Sequence, residues 1–343
     1  MGRTLKLVAC AALWASSAPG LSPGVSAQTS DSGAVLYAAW CARCHGGDAR
    51  GTPAASVRTE VPPADLASCT VSSAETEDQW VGIVTRGGEA FGLSLDMPAY
   101  GDAGTPDQIR LVVRYVRSLC RERGWPPGEL NFPRPFLVEK AFPENEVIVA
   151  AHGQAQDLVY ERRIGRRAQF EGVFSTAIDS LDRPFAGVTV ALKYNLWHSL
   201  ERRALTSVGL EVSPPVGRRE RWEVEPFAAA GIERAGFVLQ GEVLGGWEEA
   251  EGVTGASVRL GLGREVGGGR FVPMVEAGWD VPREGDGTLS FYPQVWIRLS
   301  RLGHVAGSVG AELPAGGGPE PRHPRLTLFV LWDFGDGPLL RGW

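Results

Sequence analysis

The sequence predicts an α + β protein of two unlike domains. A small all-α domain comes first, and an antiparallel transmembrane β-barrel of about 12 strands follows. Three observations predict this. Cys41, Cys44, Cys69 and Cys120 and the clearest helical patterns lie before residue 122. Five prolines then fall between Pro126 and Pro143, in a stretch too rich in breakers for regular structure. From 145 to 334 apolar and polar residues alternate between glycine-bearing turns, the period of half-buried strands.

Residues 1–27 are expected to be a secretory signal peptide. Arg3 and Lys6 precede a short apolar run, and "VSA" ends at Ala27 with small residues before the cut. A lipoprotein box ending at Cys10 is the alternative. Cleavage would take the formal charge from −6 to −8 by removing two cations. No basic block or interleaved aromatic stripe suggests nucleic acid.

The all-α domain is expected over 28–122. "DSGAVLYAAW" has a helical pattern and leads into "CARCH". In an exported protein the C-x-x-C-H motif reads as covalent c-type haem attachment. Cys41 and Cys44 are three apart, so on a helical turn both thiols face one side. They can then add to the two vinyl groups of one haem, while His45 supplies an imidazole to the iron. A redox dithiol would sit in a thioredoxin-like βαβ unit, which is not seen here. Zinc would need further ligands, and the next histidine is His152. For a sixth ligand the domain offers Met97, in "LDMPAY"; methionine ligation raises the haem potential. The alternative for Met97 is a filler of core gaps. Cys69 and Cys120 remain as a disulfide candidate, or as two small buried apolar residues.

A terminal helix is expected from Thr105, with Pro106 at its first position and Gln108 completing a capping box. Ile109, Val112, Val113, Val116 and Leu119 share a face. Arg110, Arg114, Arg117 and Arg121 share another, either a docking row for an anionic partner or a solvated face.

These pieces together resemble a class I monohaem cytochrome c domain. The matching segments are "CARCHGGDARG", "PPADLASC", "TEDQWVGIVTRGG", "MPAY" and "QIRLVVRYVRSL", in that family's order. The resemblance implies one covalent haem c on Cys41 and Cys44, with His45 proximal and Met97 distal. It also implies that Pro63 offers the backbone carbonyl that orients the proximal imidazole.

Residues 123–144 read as a Pro-rich, semi-stiff linker. The barrel is expected over 145–334, with a tail at 335–343. Candidate strands lie near 145–152, 156–164, 167–177, 185–197, 202–214, 222–232, 236–248, 254–266, 270–281, 289–300, 304–313 and 324–334. In "FAGVTVALKYNLWHS" Val188, Val190, Leu192, Tyr194 and Leu196 point one way, and Thr189, Ala191, Lys193 and Asn195 the other. Glu211, Glu223, Glu225, Glu242, Arg259, Glu276 and Arg298 recur on the polar face, which suits a wet or ion-paired lumen. Tyr194, Trp197, Trp222, Trp247, Trp279, Tyr292, Trp296 and Trp332 lie near strand ends and suggest interfacial girdles. A soluble sandwich is the competing architecture.

The whole plan resembles fused cytochrome–porin proteins. That implies electron transfer at the outer membrane, with the haem domain on the periplasmic side. The partners would be periplasmic redox proteins or a small electron donor or acceptor, together with outer-membrane lipid. Two other readings stay open. In one the β domain is only an anchor or a soluble partner-binding module. In the other an open iron site makes the protein a ligand sensor or peroxidase.

Overall fold

The computed structural model describes residues 32–122, 124–178, 184–300, 303–316 and 323–334. The expected signal peptide, Cys10 and the 335–343 tail lie outside the described residues. The small domain holds α1 (Gly33–Trp40), α2 (Ala42–His45), α3 (Ala54–Val57), α4 (Cys69–Ser72), α5 (Glu77–Arg86) and α6 (Pro106–Ser118). Helix α6 begins with a complete capping box between Thr105 and Gln108, and α5 with one between Thr76 and Gln79. Each box satisfies two backbone N–H groups that a helix start leaves free. Ile109, Val112, Val113 and Val116 of α6 are buried against α1 and α5. Helices α1 and α6 cross closely at Gly33, where a Cβ would lie 2.1 Å from Leu111 O. No described helix is long and apolar enough to cross a membrane.

Three of the four arginines of the α6 row pair within the protein. Arg110 and Arg114 pair with Glu77 and Asp78 of α5, and Arg117 pairs with Glu129 beyond the helix. These contacts lock α6 to its neighbours and leave less of the row to face a partner.

The second domain is a closed antiparallel barrel of twelve strands. They are β1 (Glu146–His152), β2 (Ala155–Ile164), β3 (Ala168–Ala177), β4 (Phe185–Ser199), β5 (Ala204–Ser213), β6 (Glu223–Arg234), β7 (Phe237–Glu248), β8 (Gly252–Arg264), β9 (Phe271–Pro282), β10 (Thr288–Arg298), β11 (Val305–Gly316) and β12 (Arg325–Asp333). Each strand pairs with the next in sequence, and β12 closes on β1 with Val147 opposite Trp332. Closure removes both sheet edges, so every strand has a partner on each side.

Alternation sorts the side chains as the sequence predicts. In β4, Leu192, Tyr194 and Leu196 are exposed on the outside, while Lys193 and Asn195 are buried inside. Val149, Leu158, Phe174, Leu239, Leu260, Val275, Leu326 and Val330 extend the apolar outer face around the barrel. Trp197, Trp222, Trp247 and Trp279 are outward, as a girdle requires. Trp296 is not: it is buried within the lumen, on the same inward row as Gln294 and Tyr292. Both aromatics sit at positions of even number in β10, opposite in phase to Phe291 and Val295, so alternation overrides their nearness to a strand end.

The two ends of the barrel differ. At the end where the chain enters β1, the connections 165–167, 200–203, 235–236, 265–270 and 299–304 are short. The far end has short connections too, at 153–154, 249–251 and 283–287, but the three longest of the barrel, 178–184, 214–222 and 317–324, are all there. Short turns on the side of the termini are the outer-membrane pattern.

The Pro-rich segment is the main departure from the sequence reading. It is not a spacer in solvent. It runs into the lumen from the short-turn end and returns to β1. Leu130, Phe132, Val138, Ala141 and Phe142 are all buried there. Phe132 packs with Leu205, Phe227 and Val238 of the wall, and Phe136 meets Phe329 edge-on. The lumen, expected to be wet or ion-paired, is ion-paired in this half and filled by the protein's own segment.

Candidate haem-binding site

The C-x-x-C-H segment is a helical corner. Helix α1 ends at Trp40, Cys41 caps it, and α2 carries Arg43, Cys44 and His45 for one further turn. Gly46 breaks the turn at φ +80°. The backbone then folds back, with Gly51 N–H donating to His45 O at 2.8 Å and Thr52 N–H to Cys44 O at 3.0 Å. Tyr37 O–H ties the corner down by donating to Gly46 O at 2.7 Å. Gly51 lies so close to Pro63 O that a Cβ would sit 2.4 Å from it.

His45 is oriented by one contact. Its Nδ1 lies 3.1 Å from Ala64 O. Donation from Nδ1–H leaves Nε2 with its lone pair for a metal, the usual arrangement of a ligating imidazole. The carbonyl is that of Ala64, one residue beyond the expected Pro63. Pro63 O turns instead toward Gly51. Burial lowers the imidazole's pKa and the bond to Ala64 raises it, with a net lowering, so at neutral pH the ring is uncharged and able to coordinate.

Cys41 and Cys44 are both free thiols and half-buried. Burial, with a smaller contribution from Cys44, pushes the Cys41 thiol up to about 11. A redox-active dithiol uses the opposite shift, toward thiolate.

Met97 sits on the loop after α5, and its backbone is fixed. Its carbonyl accepts from Gly88 N–H at 2.9 Å and its own N–H donates to Ser94 O at 3.2 Å. A Cβ on Gly88 would lie 3.0 Å from Met97 Cβ, so the loop needs a glycine there. Tyr100, three residues on, joins this loop to the thiol corner. Its ring stacks on Trp40 at 5.5 Å, and its O–H donates to Trp40 O at 2.5 Å. Met97, Trp40 and Tyr100 pack on one cluster with Val84, Ile109 and Val113.

The donor set fits a c-type haem: two thiols one turn apart, an oriented imidazole and a thioether loop brought to the same corner. A further observation agrees. Trp80 Nε1 is a buried donor with no partner in this domain among the described residues, as expected where an acceptor on a cofactor completes the site. Cys69 and Cys120 form a disulfide between α4 and the segment just after α6.

Sequence reasoning missed the groups that seat the linker in the lumen. Glu276 accepts from the backbone N–H groups of Phe136, Leu137 and Val138 at 2.7, 2.9 and 2.8 Å. Lys193 donates to Glu139 at 2.5 Å and to Lys140 O at 2.7 Å. Arg134 pairs with Glu146 and Glu161, and Lys140 with Glu144 and Glu146. Gln240 donates to Pro133 O at 2.8 Å and Arg163 to Pro143 O at 2.9 Å. The prolines carry no N–H and so leave no donor to satisfy. The usable signal was "FPRPFLVEKAF", too apolar for a spacer in water.

The family comparison agrees with the geometry of the small domain. Residues 28–116 match the family model described as cytochrome C oxidase, cbb3-type, subunit III. The chain is a helical cytochrome domain followed by a closed twelve-stranded barrel. Among solved structures this cytochrome–barrel protein is similar to the KdgM porin, at 8% identity over 55% of this chain and 97% of that one, with a TM-score of 0.43. It is also similar to an outer membrane channel from Pseudomonas putida F1, at 12% identity over 58% and 98%, with a TM-score of 0.44. LpxR from Salmonella typhimurium follows at 8% identity, 55% and 99%, with a TM-score of 0.34. No curated protein matches the sequence.

Proposed function

We propose that the protein is an electron-transfer c-type cytochrome, exported and held at the outer membrane by a barrel that its own linker plugs. The observation that carries the reading is the thiol corner, with His45 turned by Ala64 so that Nε2 is free beside Cys41 and Cys44. Cys41 and Cys44 would hold one haem covalently, and His45 Nε2 and Met97 Sδ would be its axial ligands. Haem bound there supplies reversible one-electron exchange. The protein's own part is to fix the imidazole's tautomer, to hold the Met97 loop through Gly88, and to keep water from the ligands with Trp40, Tyr100 and the α6 face.

The membrane part rests on the apolar outer face and the closed ladder. Strands of about ten residues at ordinary tilt span a band of about 25 Å. The short-turn end carries the cytochrome domain. Glu129 binds Arg117 and the Glu77 N–H, and Gly128 N–H donates to Ser73 O at 2.7 Å. Glu75 faces His304 of the β10–β11 turn at 3.5 Å. The haem domain thus belongs to the periplasmic mouth, where it meets periplasmic redox proteins.

The plug bears on whether a small donor uses the lumen. Glu276 lies five residues above the start of β9, about 13 Å up a tilted strand. The segment it holds therefore closes the barrel near mid-height. A donor entering from the long-loop side meets the tip of the plug, so the barrel acts as anchor and seal rather than as a solute path.

The test is the visible spectrum of membrane-fractionated full-length protein. A covalently held, Met-ligated haem in the outer-membrane fraction that does not bind carbon monoxide at neutral pH is the expected result. Pigment lost on acid-acetone extraction removes the c-type reading, and carbon monoxide binding favours a sensor or peroxidase.

A further inference from the structure

Helix α5 meets different surroundings at its two ends. At its start the Glu77 N–H donates to Glu129 of the linker at 2.9 Å, Gly128 N–H donates to Ser73 O at 2.7 Å, and Glu75 faces His304 of the β10–β11 turn. The helix is 10 residues long, so its other end lies about 15 Å off. That end carries the Met97 loop. Gly88 N–H donates to Met97 O there at 2.9 Å, and Gly101 N–H to Thr85 O at 3.0 Å. The contacts with linker and barrel therefore gather at one end of α5, and the Met97 loop is at the other.

The Met97 end presents two loops tied together. Glu60 N–H donates to Asp96 Oδ2 at 2.9 Å, and Ser94 Oγ donates to the same oxygen at 3.2 Å. Val61 and Leu95, beside this tie, are 53% and 71% exposed, and Pro62 and Pro98 next to them are exposed as well. Acids rim this apolar surface: Glu60, Glu89, Asp96 and Asp102 are all exposed. The cations of the same segments, 58–62 and 86–103, are Arg58 and Arg86, and Arg86 lies over the Phe91 ring at 4.3 Å. Among the described residues no ion pair takes up the Glu89 or the Asp102 carboxylate. An apolar centre inside a charged rim is the build of a protein-docking surface, and a net acidic rim complements a basic one.

We infer that the Met97 end of the haem domain docks a redox protein with a basic rim, whose apolar centre meets Leu95 and Val61. The inference rests on the electron-transfer reading above and gives it a partner of stated chemistry. Opposite charges steer and orient the encounter, and the apolar contact holds it briefly. One electron passes across the contact, the two centres change oxidation state by one in opposite senses, and no bond is made or broken. A partner with an acidic rim would seek Arg110, Arg114 and Arg117, but these pair with Glu77, Asp78 and Glu129 at the barrel end.

The test uses full-length haem-loaded protein, reduced, in neutral detergent. Two small one-electron oxidants are mixed with it in stopped flow, the apolar cation tris(phenanthroline)cobalt(III) and the anion ferricyanide. Glu89→Gln and Asp102→Asn should each slow the cobalt complex about twofold at low salt, the effect of one exposed charge on a trivalent ion through water, and should not slow ferricyanide. Asp78→Asn removes the same charge at the barrel end of α5 and should slow the cobalt complex less. Leu95→Ser should slow it too, with the haem spectrum unchanged. Mitochondrial cytochrome c, a lysine-rich redox protein, should bind the wild type in titration calorimetry at low salt, and should bind Glu89→Gln more weakly than Asp78→Asn. An equal effect of Asp78→Asn, no effect of Glu89→Gln and Asp102→Asn, or a haem spectrum altered by Leu95→Ser overturns the docking face. Pigment lost on acid-acetone extraction is a separate failure, that of the cytochrome reading itself, and takes this face with it.

Discussion

At the scale of single residues, the candidate site depends on which atom of each residue is already engaged elsewhere. His45 gives Nδ1 to Ala64 O and keeps Nε2, and Met97 lies on a loop fixed through Gly88 and Ser94. Met97→Ala removes the thioether while leaving the loop's backbone bonds in place. Its haem should bind carbon monoxide at neutral pH and its potential should fall, because methionine ligation raises it; an unchanged potential would show that Met97 does not ligate. The residue types were readable in advance because C-x-x-C-H is a local pattern whose chemistry is set within five positions. The orienting carbonyl was placed one residue early, at Pro63. Which carbonyl reaches His45 depends on the path of the 46–64 loop, and that path is set by Gly46, Gly51 and the close approach at Pro63 O.

At the scale of elements, the strands were the most legible part. Alternation repeats every two residues, so a strand such as β4 announces both its extent and its phase. The closed order came from pairing, which single strands do not reveal; the phase of Trp296 lay in the alternation of β10, against its nearness to a strand end. The linker was the least legible, because its partners are remote: Phe136 and Glu276 are 140 residues apart. Proline and charge looked like a spacer when the acceptors for its N–H groups were not in view. At its start, Glu129 joins α5, α6 and the linker. Burial pushes its carboxyl up, but the Arg117 hydrogen bond and charge, with the Glu77 N–H, outweigh it and hold it below the ordinary range. A carboxyl depressed by folding stabilises fully above its unfolded value and loses that contribution as pH falls through its folded one. Glu129→Gln should therefore cost about 1–2 kcal/mol at pH 7. The gap to wild type should close below about pH 4, as read by denaturant unfolding of the haem domain; a gap independent of pH would discount the ion pair.

At the scale of the whole molecule, the barrel is sealed by contacts that the wall makes to a segment outside it. Glu276 alone serves three backbone N–H groups, and buried donors left without an acceptor cost about 1–3 kcal/mol each. Glu276→Ala should loosen the plug enough to raise its open population about a hundredfold, since about 3 kcal/mol corresponds to two factors of ten. Wild type in planar bilayers should stay closed, and the variant should show discrete openings with an unchanged haem spectrum. Steady ion flow through the wild type would refute the seal.

The plug also constrains biogenesis. The segment runs directly into β1, and β1 is also the seam on which β12 closes. The segment enters and leaves by the same mouth, so seating it needs no passage of the small domain, at about 30 Å too wide for a ring of this size, through the wall. Insertion machinery acting on this polypeptide thus handles a wall and its stopper together, and the globule stays on the side from which the stopper was seated.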